Sequence, residues 1–303
     1  MALRIVEFFG YEPLAPKGRE FAAKLECPFT LGACIKPGHG ACSVEQLASG
    51  PIICCPNRLY ADEYRALIEV GHEVFGAGTE LITAVEARAR KASGMLVGNE
   101  AVLFGKRWGG ELPLPRPPRA DGGKAGSYYV DWIVAKIDAN GELEQFTALE
   151  VQTIDTTGSY REQADAYFAG LPFEGKGGRG FSEAGMNWEN VNKRILPQLI
   201  YKGHVLRREA KCSKGLFFIC PQSVYAKIME RLGNHLHSYP IGNGTITFRS
   251  YGLGEPDPAT GQRPLVFDAQ FTTTIDQVAT AFTSPMNLPP QDVYASAISV
   301  ALR

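Results

Sequence analysis

Residues 128–160, YYVDWIVAKIDANGELEQFTALEVQTIDTTGSY, hold the pattern that decides the fold of this chain. Two apolar runs rich in β-branched and aromatic residues flank Asn140-Gly141, and Asn-Gly between such runs is the strongest short-range mark of a hairpin. If Asn140 and Gly141 are the two central turn residues, positions whose numbers sum to 281, as theirs do, lie opposite each other. Asp131 then faces Glu150, and Gln152 shares that face because side chains alternate with period 2. A four-residue loop would keep both acids on one face as well. Directly opposed residues have Cβ atoms only ~4.5–5.5 Å apart, and like charges so placed are destabilising. One reason to keep such a pairing is a divalent cation: two carboxylates, a backbone carbonyl and waters suit Mg²⁺. The other reading is a solvated sheet face on which the two acids tolerate each other, and the local pattern leaves both open.

The chain has 303 residues, enough for one large or two modest domains, and 45% of them are hydrophobic, enough to fill a core. No apolar run approaches the ~20 residues of a membrane span, and the start, MALRIVEFFGYE, lacks the basic and long apolar regions of a signal peptide. The expectation is a soluble protein of the prokaryotic cytoplasm with no membrane partner. A formal net charge of -1 does not announce a nucleic-acid binder, although an overall balance can hide a local patch.

Of seven cysteines, five lie between Cys27 and Cys55: Cys27, Cys34, Cys42, Cys54 and Cys55. In an intracellular chain such a cluster points to metal more than to disulfides. The glycines and prolines around it mark a loop-rich segment of the kind that needs a staple. Four thiolates in a tetrahedron would suit Zn²⁺ or a single iron, and free buried cysteines acting as small hydrophobes are the alternative. His39 in the same loop reads as a solvated side chain.

Helical spacing runs from Arg58 to Gly76 and again from Glu80 to Lys91, followed by a strand at Met95 to Phe104 and a Pro- and Gly-rich loop over 107–126. After the hairpin, the pattern predicts a short helix at Tyr160 to Ala169, a glycine-rich loop around Arg179, and a long helix at Trp188 to Glu209 kinked at Pro197. Gly215 to Cys220 reads as a buried strand and Pro221 to Leu232 as a helix; two further strands, Thr245 to Tyr251 and Pro264 to Thr273, precede two closing helices. From Lys193 to Lys214 the chain carries Lys193, Arg194, Lys202, Arg207, Arg208, Lys211 and Lys214 against the single acid Glu209. Such a surplus is a solvated face or a set of phosphate contacts.

The order Asp, hairpin, Glu-x-Gln resembles the core of the PD-(D/E)xK nucleases, though Val130 precedes Asp131 and Gln152 stands where that superfamily most often has lysine. Further runs, EFFGY (7–11), CPF (27–29), CPNR (55–58), GGEL (109–112), VDW (130–132), LEVQT (149–153), GSY (158–160) and PQSVY (221–225), resemble in order the NotI-like type II restriction endonucleases, up to about residue 240. The resemblance implies an α/β fold, a PD-(D/E)xK nuclease core with a central mixed sheet flanked by helices, preceded by a loop-rich N-terminal region that binds metal through four cysteines. It divides the chain into that N-terminal region, 1–76, and a nuclease domain with C-terminal extension, 77–303. It implies a structural iron, with zinc as the alternative, on Cys27, Cys34, Cys42 and Cys55, leaving Cys54 spare. It also implies catalytic Mg²⁺ on Asp131, Glu150 and the Val151 carbonyl, with Glu111 a third acid nearby.

The activity expected from that resemblance is Mg²⁺-dependent hydrolysis of phosphodiester bonds in double-stranded DNA, at a GC-rich palindrome containing GGCC. Gln152 carries no charge, so its expected task is to orient the attacking water. A homodimer would match the two-fold symmetry of the site, and a cognate methyltransferase is implied in the same cell. Candidate DNA contacts are Arg161, Arg179, Lys193, Arg194, Arg207 and Arg208, since arginine and lysine read guanine and bind phosphate. Two other classes compete: a non-catalytic DNA-binding protein of the same fold, and a rubredoxin-like redox protein built on the four cysteines.

Overall fold

In a computed structural model the described residues are 2–47, 49–106, 108, 110–114, 128–175, 178–233, 235–284 and 288–303. The loop expected over 107–126 lies mostly outside them. A small antiparallel sheet comprises β1 (Leu3–Phe8), β2 (Ala41–Gln46) and β3 (Pro51–Ile53). The central sheet has seven strands: β4 (Glu80–Thr83), β5 (Glu100–Gly105), β6 (Trp132–Ile137), β7 (Leu143–Val151), β8 (Leu216–Pro221), β9 (Thr245–Leu253) and β10 (Leu265–Thr274). They lie side by side in chain order. The β4–β5, β7–β8 and β8–β9 pairs are parallel, and the other three pairs are antiparallel. Each parallel pair is bridged by helix, as parallel connections require: α3 (Ala84–Ser93), then α4 (Arg161–Phe168) with α5 (Leu196–Leu206), then α6 (Gln222–Leu232). The remaining helices are α1 (Pro16–Lys24), α2 (Ala61–Phe75), α7 (Ile275–Thr283) and α8 (Val293–Ala301). The chain is therefore α/β, with a central mixed sheet flanked by helices.

Alternation along the strands sorts the core onto two faces. On β8, Leu216, Phe218 and Cys220 join one buried cluster with α5, α6 and α7, while Phe217 and Ile219 join another with α2. Residues before position 76 enter both clusters: Ile5, Phe8 and Val44 the first, Cys27, Cys42 and Leu67 the second. Among the described residues, both clusters draw on residues from either side of position 76.

Three expectations need correction. The connection in the central hairpin is not a two-residue turn: Asp138 pairs with Glu142 through its backbone, and Ala139, Asn140 and Gly141 form the loop, with Gly141 in the left-handed region at φ 73. The extra residue is absorbed by a register shift between Lys136 and Ile137, so Trp132↔Leu149 and Val134↔Thr147 keep the expected pairing. Glu80–Thr83, expected within a helix, is the edge strand β4, because pairing with β5 outweighs its helical spacing. The long helix is continuous over 189–206 but not uniformly α: a π-helical segment, Val191–Ile195, runs directly into α5, which contains Pro197 near its start. Proline has no N–H for an α-type bond to residue 193, and the wider π turn stands directly before it.

Candidate functional site

The ends of β6 and β7 carry the two acids. Asp131 immediately precedes β6 and Glu150 is the penultimate residue of β7, one step beyond the Trp132↔Leu149 pair. Their carboxyl groups are close enough to influence each other's protonation, and Asp131 Oδ2 accepts the Val151 N–H at 2.8 Å. Glu150 is buried, and the buried ammonium of Lys202, from α5, donates to it. Burial and the charge of Asp131 push Glu150 up, to about 8, against the pull of Lys202. Burial likewise raises Asp131, opposed by the Val151 N–H and by Lys202. An acid pair, one member buried and the other half-buried, next to one cation is a place where protonation state depends on what else binds.

Asp131 and Val151 line a cavity of about 200 Å³ together with Glu111, Lys106 and Tyr60. Glu111, itself exposed, is near enough for its charge to raise Asp131. An aromatic group walls the cavity: Tyr60 and Tyr64 pack edge-on against Trp132 with ring centroids 5.7 and 5.6 Å apart, and Trp132 Nε1 donates to the Tyr60 hydroxyl at 3.1 Å. Burial first, then the charge of Asp131, raises Tyr60. Tyr64 reaches this wall through a backbone of three consecutive left-handed residues, Asp62, Glu63 and Tyr64, at φ 56, 55 and 63. Left-handed backbone costs roughly 1–2 kcal/mol per residue and persists where its surroundings impose it. Gln152, half-buried, follows Glu150 on the same face, and its N–H bonds the Ile219 carbonyl at 3.1 Å.

Among the described residues, no three His, Cys, Asp or Glu side chains converge as a ready-made ion cage. The donor set at Asp131, Glu150 and Val151 is nevertheless of the kind Mg²⁺ takes, one or two carboxylates with the rest of the shell water.

Two local devices bring the cysteine-bearing segments near one another. Cys27 and Cys34 close a loop in which the Cys27 N–H bonds Gly32 and the Leu31 N–H bonds Cys27. Cys42 and Cys55 meet because β2 and β3 are paired and both Cys54 and Cys55 donate their N–H to the Cys42 carbonyl, at 3.1 and 3.2 Å. Cys27, Cys42 and Cys55 share one buried cluster, and Cys34, half-buried, is close enough for Cys27 to raise its thiol further, after burial. Burial pushes Cys42 well up and Cys55 to about 12. Donors face two of the sulfurs: Asn57 Nδ2 to Cys27 at 3.6 Å and the Lys36 N–H to Cys34 at 3.4 Å. Donors to sulfur and a buried apolar shell are the usual second layer of a thiolate-bound metal, but among the described residues no three of these sulfurs converge on one point. This region is tied to the chain just beyond the acid pair's strand: Thr153 donates to the Cys54 carbonyl at 3.1 Å, which also accepts from Lys36 at 2.7 Å.

The basic surplus of 193–214 does not form one stripe. Lys202 is buried at Glu150, Lys211 donates to the Leu143 carbonyl, and Arg207 pairs with Asp276 at 2.6 Å. Lys193 lies 3.8 Å from Glu189 and Arg194 3.7 Å from Asp155, both largely exposed. Arg161 on α4, Arg179 and Arg208 are exposed. Two residues escaped the sequence reading, Lys202 and Tyr60. Lys202 shares helical spacing with Leu199 and Leu206, both buried, which marks it as a core position rather than a surface one.

No protein-family model matches the chain, and no curated protein sequence matches it. The family resemblance rests on the quoted runs alone. Among the described residues, no helix is long and apolar enough to cross a membrane.

Proposed function

We propose that this protein is a type II restriction endonuclease of the NotI-like kind, with a PD-(D/E)xK core, that hydrolyses phosphodiester bonds in double-stranded DNA. The observation that carries the reading is the meeting of Asp131, Glu150 and Lys202 at one end of the central hairpin, beside a cavity open to a further acid, Glu111. When bound, Mg²⁺ would lower the pKa of a water and offset charge on the scissile phosphate. Asp131 and Glu150, with the Val151 carbonyl, would hold that ion. Lys202 supplies the positive charge that Gln152 lacks, and its ammonium keeps Glu150 more acidic than burial alone would allow. Gln152 then has the task of orienting water by hydrogen bonding. The four cysteines, Cys27, Cys34, Cys42 and Cys55, would hold a structural iron or zinc that orders the loop-rich region tied to the chain just beyond β7.

The substrate in this reading is a GC-rich palindrome containing GGCC, bound by a homodimer. Arg161, Arg179, Lys193, Arg194, Arg207 and Arg208 are its candidate contacts, and a methyltransferase in the same cell protects host DNA. Purified protein incubated with unmethylated DNA should give discrete fragments with Mg²⁺, none with chelator and none with Asp131→Asn; sequencing the ends gives the site. Fragments that persist in Asp131→Asn would sink the assignment of the metal pair.

A further inference from the structure

The cavity beside Asp131 has polar lining that the acid pair does not use: Lys106, which follows β5, and Tyr60, the last residue of the Pro56–Tyr60 turn. The Tyr60 oxygen accepts the Trp132 Nε1 proton at 3.1 Å. An indole nitrogen can only donate, so this bond takes a lone pair of the phenol and leaves its O–H free to donate in turn. Among the described residues no group accepts that proton. Burial and the negative charge of Asp131 both keep it on the oxygen.

The donor is also held in place. The Tyr60 ring lies 5.7 Å from Trp132 and 5.2 Å from Tyr64, centroid to centroid. Its turn is anchored by Arg58 and Leu59, both fully buried, with Arg58 paired to Glu7. Trp132 is fixed from the other side, because its ring occupies the space that a side chain on Gly105 would fill. Glycine at the end of β5 thus seats the indole, and the indole orients the phenol. Lys106, by contrast, is exposed and brings charge without a fixed direction.

We propose that Tyr60 is a catalytic residue that donates a hydrogen bond to a non-bridging oxygen of the scissile phosphate. A neutral donor fixed before the reaction starts costs no reorganisation as charge develops on the oxygen it faces. The oxygen of a phosphodiester is an acceptor of the kind this O–H lacks, and hydrogen bonds to charged acceptors are the stronger ones. The proposal rests on the nuclease reading and adds to it a residue that lies outside the acid-bearing hairpin, on the turn that follows Cys55.

Tyr60→Phe tests it, since the variant keeps the ring and deletes the donor. On a duplex carrying the site read from sequenced ends, single-turnover cleavage should fall on the order of 10²-fold. The protein concentration at half-maximal rate should change less than about threefold, as for an interaction made mainly in the transition state, with the circular dichroism spectrum unchanged. Phosphorothioate duplexes give a readout that packing alone would not move, because sulfur accepts hydrogen bonds poorly. The wild type should cut slowly the diastereomer whose sulfur faces Tyr60, and exchange of Mg²⁺ for Mn²⁺, which tolerates sulfur ligands, should not restore the rate. In Tyr60→Phe that penalty should shrink by about fivefold or more, because the two changes remove the same bond and are not additive. A wild type that shows no such penalty, or one relieved by Mn²⁺, overturns the proposal, as does a penalty that persists in Tyr60→Phe. A wild type that cuts no DNA sinks the nuclease reading itself, whereas a Tyr60→Phe variant as fast as a cleaving wild type sinks the role of Tyr60 alone.

Discussion

Two buried carboxylates in this molecule, Glu7 and Glu150, each meet a buried cation, and the two pairs differ in almost everything else. Arg58 holds Glu7 through three hydrogen bonds of 3.0–3.2 Å, stacks over Phe29 at 4.6 Å, and donates to the Arg263 carbonyl, with both side chains at most 1% exposed. The carboxylate is saturated by a planar fork. Glu150 has instead a single point cation, Lys202, and a neighbouring acid, Asp131, and it lies beside a cavity. The first arrangement saturates the carboxylate, although Arg58 Nη1 is buried without a partner among the described residues, whereas the second is held short of balance. The EFFGY and CPNR runs meet in the Glu7–Arg58 pair and belong to the architecture, and in the proposed nuclease reading the VDW and LEVQT runs carry the chemistry.

The contrast breaks most visibly at Arg58. Removing one partner of a buried pair leaves an uncompensated charge, so Arg58→Ala should lower the unfolding free energy by about 3–5 kcal/mol. Urea titration at neutral pH should show that loss. Arg58→Lys should restore little of it, because an ammonium cannot make the bidentate contact. A loss under ~1 kcal/mol would mean that the pair is not the structural tie argued here.

Lys202→Met is the sharper probe of the other pair. Glu150, raised to about 8, already holds its proton at pH 6, so the stability cost should be roughly 1–2 kcal/mol there and should grow toward pH 9 as the carboxyl ionises without its cation. DNA cleavage should fall on the order of 10²-fold, as when one preorganised electrostatic contact is removed from a reacting centre. If cleavage is unchanged while stability collapses as it does for Arg58→Ala, the two pairs are alike and the catalytic reading of Lys202 fails.

How far the sequence discloses these pairs follows from what each depends on. The register at Asp131 and Glu150 is legible because alternation and an Asn-Gly turn fix it locally. It survives a wrong turn length because the bulge at Lys136 and Ile137 absorbs the added residue. Glu7 and Arg58 are separated by 51 positions and meet only when β1 and the Pro56–Tyr60 turn pack together, which no local pattern encodes. Lys202 was hidden by its neighbours: amid six other basic residues it reads as surface, and only its helical spacing with Leu199 and Leu206 places it in the core. The central strands and flanking helices were legible from apolar periodicity, while β4 was not, since four residues at a sheet edge owe their form to the strand beside them.

The smallest effect is a pH dependence, and it bears on the imbalance itself. Glu150 is raised from 4.5 to about 8, so the folded chain holds that proton more tightly than the unfolded chain does. Its contribution to stability is therefore full below the ordinary carboxylate range and is lost as pH rises toward 8, the opposite sign to a carboxylate stabilised in its charged form. A cation on Asp131 and Glu150 must displace that proton. Apparent Mg²⁺ affinity, read from the metal concentration at half-maximal cleavage, should rise about tenfold per pH unit from 6 to 8 and then level off. Lys202→Met, which removes the ammonium that lowers Glu150, should move the plateau to higher pH. Arg58→Lys, where it folds, should leave it in place. A metal dependence flat from pH 6 to 9 would mean that Glu150 is already ionised without metal, held by Lys202 as firmly as Glu7 is held by Arg58.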